Sequence, residues 1–139
     1  MKINHMNLPN VEFVSICDVN IENGKRLANI YNIDKVYSNY KDMLNTEELD
    51  FVSVCTPNYF HAEITIYALL KGVNVHCEKP LAVNALEAKK IVEAKNMSRK
   101  KVMVGLNSRF TNEAVYLKME PQLTSNSAGQ LILKETNSM

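Results

Sequence analysis

Phe51-Val52-Ser53-Val54-Cys55-Thr56-Pro57-Asn58 opens the stretch that decides the fold, and Val73-Asn74-Val75-His76-Cys77 closes it. The first run is short, apolar and rich in β-branched and aromatic residues, as a buried strand requires. Thr56-Pro57-Asn58 breaks it with the residue types that mark a turn and a helix start. Ala62, Ile66, Leu69 and Leu70 then fall on one face at helical spacing, and Gly72 stands just past them as a C-terminal cap. A strand, a helix and a second strand in this order make a βαβ unit, whose two strands run parallel.

The same grammar extends to both sides. Val11–Ile16 is expected as a strand, followed by a helix over Ile21–Tyr31 with Asn20 as its cap. Val36-Tyr37 has the character of a very short strand and Tyr40–Asn45 that of a short helix. Asn84 and Glu87 stand at capping-box spacing and open a helix expected to turn Ala85, Ala88, Ile91 and Val92 inward. Lys101–Leu106 is expected as a further strand. Beyond it come a helix over Asn112–Met119, a polar linker at Thr124-Ser125-Asn126-Ser127, and a strand beginning at Gln130–Lys134. The fold class is α/β, a doubly wound, mostly parallel sheet, with an incomplete dinucleotide-binding domain over 1–123 and, over 124–139, a linker and the first strand of a further domain. In open sheets of this type the first strand lies at the centre and carries a Gly-rich turn. No G-x-G-x-x-G occurs here, and Gly24, Gly72, Gly105 and Gly129 lie far apart. Val11–Ile16 and Phe51–Cys55 are therefore expected to flank a gap.

Composition narrows the function classes. With 46% hydrophobic and 22% charged residues, the chain has the make-up of a soluble globular domain. Sixteen Lys and Arg against 15 acids leave a net charge of +1, which gives no field to attract nucleic acid or an anionic membrane. Lys95, Arg99, Lys100 and Lys101 form the one basic cluster, placed to complement the negative end of a helix dipole. Cys17, Cys55 and Cys77 are an odd number without C-x-x-C spacing, each in or at the end of an apolar run. They are expected as buried thiols of a cytoplasmic protein, with neither a disulfide framework nor a zinc site. No apolar run approaches the ~18 residues that would span a bilayer.

Three stretches that carry chemistry fall at the carboxyl ends of successive expected strands, where open α/β sheets bind ligands. They are Ile16-Cys17-Asp18, Thr56-Pro57-Asn58-Tyr59-Phe60-His61 and Cys77-Glu78-Lys79-Pro80-Leu81. Each has a bland alternative: Asp18 as an acid favoured near a helix start, Glu78 and Lys79 as a surface ion pair, His61 as a first-turn packing residue. Three in register outweigh the separate alternatives.

With Val14–Val19, Val52–His61, Glu78-Lys79-Pro80-Leu81-Ala82 and Asn107-Ser108-Arg109-Phe110 in order at the expected intervals, the chain resembles the N-terminal half of the glucose-fructose oxidoreductase and inositol dehydrogenase family. The resemblance implies a nicotinamide cofactor and reversible hydride transfer at a carbinol carbon of a sugar, polyol or related small molecule. It implies that Asp18 binds the adenosine ribose, that Thr56, Pro57, Asn58 and His61 border the cofactor, and that Glu78 contacts the nicotinamide-side ribose. Lys79 corresponds to the active-site lysine, and its bond to Pro80 is often cis in the family. Asn107 and Arg109 follow the next strand and line the same cleft, with a structural role standing slightly ahead for Arg109. Asp18 with no basic residue directly after it implies NAD rather than NADP. The departures are the missing phosphate turn and, downstream, the sheet domain that carries a histidine acid/base and forms the usual assembly surface. The expectation is a fragment of an enzyme, with Met1 an internal methionine, inactive alone and homo-oligomeric only when complete. The alternative is a non-catalytic remnant or nucleotide-binding module of the same fold.

Overall fold

A computed structural model of the chain describes residues 11–106. Five strands and four helices alternate over them. They are β1 (Ser15–Cys17), α1 (Ile21–Tyr31), β2 (Lys35–Tyr37), α2 (Tyr40–Thr46), β3 (Phe51–Val54), α3 (His61–Leu70), β4 (Asn74–Glu78), α4 (Ala85–Ser98) and β5 (Val102–Gly105), with a 3₁₀ turn, Asn58–Phe60, leading into α3. All ladders are parallel and form two pieces. In one, β1 pairs β2 with Ser15 opposite Lys35 and Cys17 opposite Tyr37. In the other, the order is β3-β4-β5, with Val54 opposite Cys77 and Glu78 opposite Gly105. Among the described residues no ladder joins β1 to β3, the place where a gap was expected.

The helices begin and end where their caps dictate. The Asn20 side chain accepts from the N–H groups of Glu22 and Asn23, and α1 closes on Asn32 in the left-handed conformation, φ 53°. Such caps satisfy orphan backbone groups and are each worth about 1 kcal/mol. Asn39 caps α2 through the Lys41 N–H. At the exit of α3, Gly72 adopts φ +83° while Val73 N–H bonds back to the Ala68 carbonyl at 3.0 Å, a turn that a Cβ would strain. Asn84 accepts from Glu87 N–H at 2.9 Å, and Glu87 reaches back to Val83 N–H at 3.2 Å.

The core lies between β3-β4-β5 and the paired helices α3 and α4. Val54, Val73, Val75 and Cys77 meet Ala62, Ala68, Leu69, Ile91 and Ala94 there. Leu69 and Ile91 are fully buried, each contributing roughly 1.5–3 kcal/mol relative to exposure. α1 packs on β1 and β2, while α2 buries Met43 and Leu44.

Several expectations are corrected. On α4 the buried stripe is Ile91 and Ala94; Val92 is exposed because one residue along a helix turns the side chain by about 100°, and Ala85, at the first position of the helix, is exposed as well. Leu70 is exposed for the same reason, one step beyond buried Leu69. Of the three thiols only Cys77 is buried; Cys17 is half-buried and Cys55 exposed. Cys55 follows the last ladder residue of β3 and alternates with Val54, so it points away from the face that α3 and α4 cover. β1 runs over Ser15–Cys17 rather than Val11–Ile16, since its ladder extends only as far as its three-residue partner. The helix at 112–119, the linker at 124–127, the strand at 130–134 and the boundary after 123 lie outside the described residues, as do Asn107 and Arg109.

Candidate functional site at the carboxyl ends of the strands

The parallel ladders send the chemically distinctive residues to one end of the sheet pieces. Asp18 follows β1, its N–H continuing the ladder to the Tyr37 carbonyl at 3.0 Å. Its Oδ1 accepts from Asn20 N–H at 2.8 Å, which fixes the carboxylate at the start of α1. α1 can approach this closely because Gly24 is bare: a Cβ there would meet Val36 Cγ1 at 2.8 Å and Asp18 Cβ at 3.6 Å.

Thr56, Pro57 and Asn58 follow β3 and are exposed, with the rings of Tyr59 and Phe60 in contact beyond them, centroids 4.3 Å apart and planes tilted by 47°. Glu78 ends β4, half-buried, with Lys79 and Pro80 exposed after it. The Lys79-Pro80 bond is cis, as the family resemblance implies. Glu78 Oε2 accepts from Lys79 N–H at 3.3 Å. The rest of that carboxylate lies over Gly105, its partner on β5, so closely that a Cβ on Gly105 would stand 3.1 Å from Oε2 and 3.2 Å from Oε1. Gly105 was noted in the sequence only as one of four scattered glycines. The signal that marks it is a glycine at the carboxyl end of an expected strand, beside the strand that ends in an acid.

His61 is placed unlike its neighbours. It begins α3 but is 1% exposed, so it does not present a free ring at the sheet end. Its Nδ1 stands 2.7 Å from the Pro80 carbonyl oxygen and its Nε2 2.7 Å from that of Thr56. The loop after β3 and the loop after β4 are thereby joined through one ring. Asp18 stands at the end of the other sheet piece.

A cavity lies elsewhere. About 420 Å³ in volume, it is lined by Glu47, Glu48, Asp50, Lys71 and Val73 among others, residues that precede β3 and β4. It therefore opens at the amino ends of those strands, opposite to the side on which open α/β sheets bind ligands. Among the described residues no helix is long and apolar enough to cross a membrane.

A family model described as an oxidoreductase family with an NAD-binding Rossmann fold matches residues 2–106. The chain is 30% identical over 125 residues to inositol 2-dehydrogenase of Salmonella typhimurium, covering 88% of this chain and 37% of that one. To D-glucoside 3-dehydrogenase of Escherichia coli it is 31% identical over 121 residues, 87% of this chain and 34% of that one. The crystal structure of myo-inositol 2-dehydrogenase from Lactobacillus plantarum superposes with a TM-score of 0.76 at 30% identity, over 81% of this chain and 34% of that one. The WlbA dehydrogenase from Bordetella pertussis, solved with NADH and UDP-GlcNAcA, gives 0.74 at 26% identity, over 78% and 33%. The chain thus spans little more than a third of the length of such relatives, and it belongs to the oxidoreductase family with an NAD-binding Rossmann fold.

Proposed function

We propose that this chain supplies the cofactor-binding part of a cytoplasmic, nicotinamide-dependent oxidoreductase that acts at a carbinol carbon of a sugar, polyol or related small molecule. The observation that carries the reading is the meeting of Glu78, Lys79 and the Thr56–Asn58 loop at the carboxyl ends of adjacent parallel strands. NAD, when bound, supplies the hydride acceptor. The residues present fit its ribose portions. Asp18 and Glu78 offer carboxylate oxygens to hydroxyl donors, and the absence of a Cβ on Gly105 is what lets the Glu78 carboxylate lie where it does. NAD is preferred over NADP, because the Asp18 carboxylate would repel a 2′-phosphate. Lys25 on α1 is already tied to Glu22 at 3.0 Å.

Thr56, Pro57, Asn58 and Pro80 border the cofactor, and Asn107 and Arg109 are proposed to extend the same cleft. Lys79 is the proposed catalytic residue. Its exposed ammonium polarises the reacting oxygen and assists proton movement to or from it, and a cation placed where charge develops is worth far more in a closed site than in water. Self-association is proposed only for a form that also carries a substrate domain.

A second reading, a nucleotide-binding remnant without turnover, is favoured by one observation. Of the described glycines, Gly24 lies inside α1, Gly72 follows α3 and Gly105 ends β5, so none forms the strand-to-helix turn that cradles a pyrophosphate. The deciding experiment joins this chain to a Gly-rich phosphate turn and a substrate domain and compares Lys79→Ala with the parent. The catalytic reading expects kcat to fall roughly 10²-fold or more with Tm unchanged. Retained turnover in a normally melting variant would remove Lys79 from the chemistry.

A further inference from the structure

His61 faces two acceptors at once. Both contacts are 2.7 Å, one from each ring nitrogen, and the residue is 1% exposed. Carbonyl oxygens only accept, while a neutral imidazole carries a single N–H. A neutral ring could satisfy one carbonyl, but it would turn the lone pair of its other nitrogen onto the second at the same short distance. Rotating the ring by half a turn brings no relief, since it puts carbon atoms where both nitrogens stand and loses both bonds. A ring protonated on both nitrogens donates to both oxygens, and 2.7 Å falls in the range of charge-assisted N–H···O bonds.

We infer that His61 is held as the imidazolium and serves as a positioning residue, a two-point clamp that fixes the loop after β3 to the loop after β4 and so sets where Lys79 stands. A buried cation is costly unless its donors are satisfied, and here both N–H groups are committed. The start of a helix disfavours a positive charge. The 3₁₀ turn runs into α3 without a break, however: Phe60 N–H bonds to the Pro57 carbonyl and His61 N–H to that of Asn58. The unsatisfied amides therefore lie about a turn earlier than His61. The ionisable groups on the strands and helix that carry the ring and its two loops are Cys55 after β3, Tyr59 in the 3₁₀ turn, His76, Cys77 and Glu78 on β4 with Lys79 beyond them, and Glu63 and Tyr67 along α3. α4, packed along α3, contributes apolar Ile91 and Ala94 to the buried side.

The clamp rests on the proposed function only for its purpose, the placing of Lys79; its existence is read without cofactor. Long-range ¹H–¹⁵N spectra of the imidazoles in the full 139-residue chain at neutral pH, with the His61 signals assigned by their loss in H61Q, count the ring protons. Two protonated nitrogens are expected, a signature that a merely space-filling ring would not give. One bare nitrogen overturns the inference. Amide exchange supplies the second reading. H61F keeps the ring volume but donates nothing, and exchange in 56–61 and 78–81 should quicken by about tenfold or more while the amides of Ile91 and Ala94 hold. H61Q, which retains one donor group, should fall between. Loops that exchange alike in parent and H61F overturn the clamp, and should H61F fail to fold, the ring spectrum of the parent decides. NADH use by a completed enzyme bears on the proposed function alone: two ring protons without NADH use would uphold the clamp and sink that function.

Discussion

The three cysteines share a chemistry but not an environment, and the difference is testable. Burial, with Asp18 and Asp42 adding to it, pushes the Cys17 thiol up to about 11. Crowding around the sulfur also raises Cys55, Glu78 adding to this and the Ser53 hydroxyl opposing it, although the residue is exposed at the sheet end. Cys77 is raised by burial and has no accessible surface. Since the thiolate is the nucleophile, all three should react slowly at neutral pH, and access should set the order. Iodoacetamide is expected to modify Cys55 first, Cys17 more slowly, and Cys77 only on unfolding, as followed by peptide mass spectrometry; early labelling of Cys77 would contradict the packing described. Strand periodicity placed the three cysteines at strand ends but could not say which face each occupied. The case of His61 is similar. Its motif singled it out, yet its two partners, Thr56 and Pro80, come together only through tertiary packing.

At the scale of elements, local signals were read well where a cap or a breaker enforced them. The bounds of α1 were legible as Ile21–Tyr31 because Asn20 supplies the cap, and the exit of α3 because Gly72 takes the left-handed turn. Strand limits were less legible, since a parallel ladder ends where its partner ends and nothing in the strand itself announces that. Gly24 shows how a helix can depend on its neighbour. In an isolated helix Gly24→Ala would gain about 1 kcal/mol in propensity. Here the new methyl would stand 2.8 Å from Val36 Cγ1, on a β-branched side chain with little rotamer freedom. Overpacking of this kind costs typically 1–3 kcal/mol, so a net destabilisation of about 1 kcal/mol is expected. It should lower the urea midpoint without changing the slope, and an equal or higher midpoint would show that α1 can retreat freely.

Glu47 ties the end of α2 to β2. Its carboxylate accepts from Lys35 Nζ at 2.7 Å and from the Tyr37 hydroxyl at 2.5 Å. The hydrogen bond from Lys35, then that from Tyr37, holds its carboxyl below the ordinary value. A depressed folded pKa contributes stability that is present above the unfolded value, about 4.3, and is lost as pH falls through the folded one. Glu47→Gln should therefore lower the urea midpoint at pH 7 and flatten its decline on acidification below about pH 4.3. A variant whose acid limb matches the parent would mean that the triad adds nothing to folding.

For the molecule as a whole, the two parallel pieces, β1-β2 and β3-β4-β5, show how much of a dinucleotide fold the described residues carry and what they do not supply. The fold class was legible because each βαβ unit repeats the same grammar. The proposed cofactor site was legible only in part, because the acids and the lysine proposed for it lie at strand ends whereas a phosphate cradle would be backbone, visible in sequence only as a glycine spacing that these 139 residues lack. The ribose contacts proposed for Asp18 and Glu78 would not replace that cradle. Hydrogen bonds from backbone N–H groups to a charged phosphate are worth about 1.5–3 kcal/mol each, so losing two costs roughly 10²–10⁴-fold in affinity. The 139-residue chain is accordingly expected to bind NADH far more weakly than a form joined to a strand and a Gly-rich turn, and NADPH more weakly still because of Asp18. Fluorescence titration of both nucleotides against both forms checks this. Micromolar NADH binding by the 139-residue chain would mean that the strand ends alone hold the cofactor, and tighter binding of NADPH would mean that Asp18 does not face the adenosine ribose.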